Sequence, residues 1–245
     1  MAAIALLHPF PFGPDIMAPQ AQALRAAGHD VVVPDLLAAD VVRPEPASME
    51  FLAQAVFGAA TAAGHERIAV AGLSLGGYVA MAMLADSPRR VTGVALLDTK
   101  AGPDDGPAAA GRLAYADRVT AEGMGWVPGA TLPGLLGETT RETRRDVIAQ
   151  VEQWILGADP AAVAWTQRAM AARADSLPVL EAFRGPSLVI VGAEDSLSPR
   201  PAAQAMAAAL GGAPLVELPG AGHLTAVECP DDVSDGLVAW AERLP

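Results

Sequence analysis

A single cysteine, Cys229, leaves the chain without any internal disulfide, which fits a reducing compartment and a cytoplasmic setting. Positive charge is also scarce. Against 28 Asp and Glu stand only 16 Lys and Arg, a formal charge of −12. The overall field therefore opposes both nucleic acid and an anionic membrane surface as partners. Long apolar runs are missing as well, because Pro, Gly, Asp or Arg interrupts each candidate before the roughly 18 to 20 residues that a membrane-spanning helix needs. The apolar start Met1 to Leu7 lacks a basic leader and reads as a core strand instead of a signal peptide. There is no clustered His/Cys set for a metal and no G-x-G-x-x-G spacing for a dinucleotide, so neither metal nor organic cofactor is expected. No internal repeat or low-complexity linker breaks the chain.

What is present is a chain of 245 residues, 52% apolar, enough for one large α/β domain with a well-buried core. Short apolar runs alternate with helical stretches, the pattern of a parallel sheet wound on both faces. Six strands are expected, at about Ala3 to Leu7, Asp30 to Val33, Ile68 to Ala71, Val91 to Leu97, Ser187 to Val191 and Leu215 to Leu218. Crossover helices fall near Pro14 to Ala27, Ser48 to Ala63, Leu75 to Asp86, Arg200 to Leu210 and Pro230 to Arg243. Between the fourth and fifth strands the rhythm stops for roughly 85 to 90 residues, too long for a plain crossover. That stretch reads as a helical cap over 101–182, inserted into a core made of 1–100 and 183–245. Helices are expected near Ala108 to Glu122, Arg141 to Leu156 and Pro160 to Ala172, with the Gly- and Pro-rich Gly123 to Gly137 as a loop or hinge.

Within the core, Gly72-Leu73-Ser74-Leu75-Gly76-Gly77 places one serine between an apolar strand and a helix. A sharp turn there needs positions without a Cβ, which the glycines supply. Ser74 is the expected nucleophile, and it needs an imidazole to accept its proton and a carboxylate to orient that imidazole. Of four histidines, His29 and His65 precede strands, at the end of the sheet away from ligands. His223, in Pro219-Gly220-Ala221-Gly222-His223, follows the sixth strand and is the expected base. Val191-Gly192-Ala193-Glu194-Asp195 supplies the acid after the fifth strand. Asp195 is the choice, with Glu194 and Asp98 as alternatives; Asp98 could otherwise floor the pocket, paired with Lys100. The oxyanion needs amide donors. Leu75, which follows the nucleophile at a helix N-terminus, is one; in Pro9-Phe10-Pro11 only Phe10 carries an N–H. His8 is expected to brace that loop. Met124, Trp126, Trp154, Trp165 and Met170 are candidate pocket-lining residues in the cap.

Together the elbow, Gly-Ala-Glu-Asp, Gly-Ala-Gly-His and His-Pro-Phe-Pro resemble the α/β-hydrolase superfamily, from Ala3 to the C-terminus, and most nearly its short-capped bacterial esterases, lactonases and cofactor-free perhydrolases. The resemblance implies a Ser-His-Asp triad at Ser74, His223 and Asp195, with no cofactor. Two departures stand out. His8-Pro9 replaces the usual His-Gly, and the chain begins almost at the strand that family members precede with an antiparallel pair. A reduced, doubly wound, essentially all-parallel six-stranded sheet is therefore expected, with the second strand at an edge that either serves a homodimer or is covered by loops. The expected activity is two-step acyl transfer on a small-molecule ester or lactone. The same residues would serve a C–C bond hydrolase or a perhydrolase, and a non-catalytic small-molecule receptor is the remaining alternative.

Overall fold

A computed structural model describes residues 1–245. Its six strands are β1 (Ala3–Leu7), β2 (Asp30–Val32), β3 (Ile68–Leu73), β4 (Val91–Leu97), β5 (Ser187–Gly192) and β6 (Leu215–Leu218), ordered β2-β1-β3-β4-β5-β6. Every pairing is parallel, as the unalternating apolar runs require. β3 and β5 are buried at every residue, whereas the edge strands β2 and β6 are largely half-exposed.

The helices are α1 (Ala18–Ala26), α2 (Met49–Ala62), α3 (Leu75–Asp86), α4 (Gly106–Glu122), α5 (Val127–Leu135), α6 (Glu138–Thr143), α7 (Arg145–Leu156), α8 (Pro160–Ala171), α9 (Leu177–Ala182), α10 (Arg200–Ala209), α11 (Thr225–Glu228) and α12 (Pro230–Ala241). None is long and apolar enough to cross a membrane. A 3-10 turn at Pro14–Met17 leads into α1. Side-chain caps start α2, α4 and α8, where Ser48, Asp105 and Asp159 accept from Phe51, Ala108 and Ala162 N–H groups.

Helices α4 to α9 fill the stretch between β4 and β5, with α4 packed along α8. Two features there differ from the sequence expectation. The Gly- and Pro-rich segment is not a loop: Val127–Leu135 is helical, with Pro128 in the first turn and Pro133 inside. Pro128 sits where no intrahelical N–H is needed. Pro133 is carried because buried Val127 and Leu135 fasten both ends of the short helix. The expected helix from Arg141 is instead two, broken at Arg144, whose φ of −123° and ψ of 75° are not helical.

The chain runs from β1 outward to β2, then crosses back over β1 to β3. That reversal lies between β1 and β3, where the loops after the two strands diverge and leave a crevice beyond their carboxyl ends. Leu7 pairs with Gly72, so the loops carrying Phe10 and Ser74 leave the sheet side by side.

Candidate active site

Ser74 caps α3 with φ 53° and ψ −109°, a left-handed backbone that a non-glycine residue holds only when its surroundings dictate it. They do so here. Its N–H donates to Leu97 O at 2.9 Å, and its carbonyl accepts from Gly77 N, Tyr78 N and Thr99 Oγ1 at 2.9, 3.2 and 2.9 Å. Room for the turn comes from missing side chains. A Cβ on Gly76 would lie 2.2 Å from Leu7 O, and one on Gly72 2.2 Å from Gly76 C.

The loop after β6 brings His223 over this turn, its Nε2 2.7 Å from Ser74 Oγ. Its Nδ1 lies 2.9 Å from Asp195 Oδ2. Asp195 Oδ1 accepts from Leu197 and Ser198 N–H groups at 2.8 and 3.0 Å, which fixes the carboxylate after β5. In the tautomer with Nδ1–H donating to Asp195, Nε2 faces the Ser74 hydroxyl as an acceptor. Asp195 and His223 are both buried, at 5% and 4% exposure. Burial alone would push the Asp195 carboxyl up; hydrogen bonding and charge from His223, with the Ser198 and Leu197 amides, outweigh it and hold it below the usual range.

The alternative acids lie elsewhere. Glu194 turns outward to Thr139, accepting from its N and Oγ1 at 2.9 and 2.6 Å. Asp98, also at positive φ (43°), is buried and does not pair with Lys100. It accepts from Gly192 N at 3.0 Å and Thr225 N at 3.1 Å, and bonds Thr225 Oγ1, tying β4 to β5 and to the segment after His223. Burial first, then the Asp195 charge, push its carboxyl well above the ordinary value, against the hydrogen bonds from Thr225 and Gly192 that lower it. Lys100 instead pairs with Asp104, 3.2 Å away.

Phe10 N–H and Leu75 N–H make no recorded hydrogen bond to the protein, and Leu75 opens α3 directly after the serine. His8 holds the loop carrying Phe10: its Nε2 accepts from Leu36 N at 2.8 Å and its Nδ1 meets Pro9 O at 3.0 Å. His29 and His65 lie at the opposite end of the sheet, beside Ala2 and Asp30.

One residue of consequence gave no sequence signal. Glu228, 6% exposed, accepts at Oε1 from Gly222 N (2.9 Å) and Leu224 N (3.2 Å), the neighbours of His223, and at Oε2 from Gly137 N (2.8 Å) between α5 and α6. His223 N–H itself donates to Leu135 O at 3.1 Å. Only the pairing of its lone carboxylate with a Gly-rich loop could have hinted at this, and its place before the Pro230 helix start hid it.

Ser74 and His223 open into a cavity of about 380 Å³ roofed by α4 and α5, with Phe10, Tyr78, Tyr115, Ala130, Leu135 and Leu197 among its walls. Of the five insertion residues considered from sequence, Met170 lines it. Trp154 stacks edge-on to Phe12, Trp165 to Phe51 and Trp126 to Tyr115, so these rings are packing residues.

The family model described as alpha/beta hydrolase fold matches residues 3–230. No curated protein matches. Among solved structures, a thermophilic esterase from Thermogutta terrifontis, with malate bound, is 35% identical with a TM-score of 0.94, over 99% of this chain and 90% of that one. The enol-lactonase from Burkholderia xenovorans LB400 is 27% identical with a TM-score of 0.88, over 99% and 92%. A hydrolase from Pseudomonas aeruginosa PA01 is 25% identical with a TM-score of 0.87, over 98% and 89%.

Proposed function

The chain belongs to the α/β-hydrolase family, and from that premise we propose that it is a serine hydrolase cleaving a carboxylic ester or lactone of a small molecule through an acyl-enzyme. The observation that carries this is the continuous relay from Ser74 Oγ through His223 to Asp195, at 2.7 and 2.9 Å. His223 Nε2 takes the hydroxyl proton as Oγ attacks the carbonyl carbon, and Asp195 stabilises the imidazolium. Phe10 and Leu75 N–H groups, unengaged by the protein, donate to the oxyanion. As the tetrahedral intermediate collapses, the alkoxide leaves with the proton from His223. Water then attacks the acyl carbon, His223 taking its proton and returning one to Ser74. Residues 101–182 serve as the cap that roofs the pocket and limits water.

Labelling with a fluorophosphonate, compared between wild type and Ser74→Ala, tests the nucleophile, and turnover of aryl esters, alkyl esters and lactones tests the substrate class. Equal labelling of the two proteins would show that Ser74 is not the reacting group.

A further inference from the structure

The loop that follows β4 is anchored in a way that leaves charge to spare beside Ser74. Asp104 keeps only 1% of its side chain exposed, and Arg173 grips both its oxygens at 2.7 and 2.8 Å. Arg173 is itself 5% exposed and lies 4.2 Å over the Tyr78 ring. That pair is complete by itself. Yet Lys100, 3.2 Å from Oδ1, and Arg112, bonded to Oδ2, crowd the same carboxylate. Three cations therefore surround one anion, an excess of two, inside a chain whose formal charge is −12. Burial raises the Asp104 carboxyl, but Arg173 and Arg112 override that and hold it far below the ordinary range, so its charge does not vary near neutrality.

Lys100 and Arg112 keep 31% and 23% of their side chains exposed, and both line the cavity that holds Ser74 and His223. Asp104 is the only carboxylate among its 19 lining residues. Arg112 commits Nε to Asp104 and Nη1 to Gln167 and Met170, while Nη2 has no recorded partner. The Lys100 ammonium holds one oxygen and has donors left over. Lys100 Nζ and Arg112 Nη2 are thus two donor nitrogens on two cations, a pair that can each take one oxygen of a carboxylate. Tyr115, also a lining residue, has a buried hydroxyl with no partner.

We propose that Lys100 and Arg112 form a receptor for a carboxylate carried by the substrate away from its scissile carbonyl, making this a hydrolase of anionic esters or lactones. This rests on the hydrolase reading above and specifies its substrate class.

The test compares mono-4-nitrophenyl adipate with 4-nitrophenyl hexanoate, and 4-acetoxybenzoate with phenyl acetate, so that the carboxylate is offered on either side of the ester. Wild type is expected to favour the anionic member of at least one pair by about tenfold in kcat/KM, mainly through KM. Lys100→Gln and Arg112→Gln each lower that ratio about tenfold, and Arg112→Lys restores part of it. A role confined to anchoring the loop would lower both members of a pair alike. A wild-type ratio near one in both pairs, or a parallel fall in the variants, overturns the proposal. Binding of monomethyl adipate and methyl hexanoate to Ser74→Ala by calorimetry needs no turnover and separates the two readings. Preferential binding of the anion, lost on adding Lys100→Gln, supports the receptor even if no ester is cleaved. Equal binding of the two, or tighter binding of inorganic phosphate, overturns it even if esters are cleaved.

Discussion

Replacing Glu228 by Gln changes one oxygen to NH2 without changing shape. The carboxylate now accepts three backbone N–H groups, two flanking His223 and one at Gly137. A glutamine can turn its remaining oxygen toward Gly222 and Leu224, but its NH2 then faces the Gly137 N–H, donor against donor. One charge-assisted bond is lost, worth about 1.5 to 3 kcal/mol, and a buried N–H is left without an acceptor. Part is recovered by water or a small shift, so about 2 kcal/mol is expected. At about 2 to 4 °C per kcal/mol for a chain of this size, Tm falls by about 4 to 8 °C. Because the lost bond lies between the helical insertion and the His223 loop, the ring also shifts against Ser74 Oγ. An error of an ångström in such a site costs on the order of a hundredfold in rate. Thermal unfolding and kcat on an aryl ester measure both effects. A Tm within 1 °C of wild type, together with unchanged kcat, would refute the role given to this carboxylate.

Relieving the backbone at Ser74 should trade activity for stability. Ser74→Gly removes strain of about 1 to 3 kcal/mol, less about 0.5 to 1 kcal/mol for the freer unfolded chain, so Tm rises by a few degrees while esterase activity disappears. A lower Tm counts against strain at the elbow. Gly76→Ala should not give a native fold, since the new Cβ meets Leu7 backbone at 2.2 Å; a soluble variant with wild-type far-UV dichroism and Tm refutes that. For Asp104 the folded pKa lies below the unfolded 3.8, so its stabilisation is complete above that value and lost as pH falls through the folded one. The Tm gap between wild type and Asp104→Asn is therefore wide at pH 7 and narrows below about pH 4; a gap independent of pH denies the charge its part. Asp98 is shifted the other way, so its burden on the fold appears as pH rises through the unfolded value. Asp98→Asn lifts that burden but sets its NH2 against a backbone N–H at Gly192 or Thr225, so its Tm relative to wild type should improve as pH rises from about 3 to 7, and a gap that does not move with pH would deny the raised pKa.

The sheet was legible because apolar runs such as Ile68 to Ala71 and Ser187 to Val191 have no alternation to hide, and burial on both faces demands none. Ser74 and His223 were legible because each sits in glycine-rich sequence directly after a strand, where steric need leaves a mark. The segment Val127–Leu135 was not, because its local preferences oppose a helix and only its buried ends and the roof position decide the matter. Asp195 is the choice from sequence over Glu194 and Asp98, but the physical reason for it is visible only in the structure. All three follow strand ends, and what separates them is direction: outward to Thr139, onto His223, or down to Thr225. Lys100 was expected beside Asp98, and its meeting with Arg112 and Arg173 at Asp104 left no sequence mark, since Arg173 lies 69 positions from that carboxylate.

Gly222 and Gly137 approach so closely that a Cβ on Gly222 would lie 2.3 Å from Gly137 N, and the His223 amide hangs from Leu135 O. Roof and imidazole are thus riveted together. Any displacement of that roof is therefore transmitted to the ring, and a side chain added at Gly222 would disturb both at once.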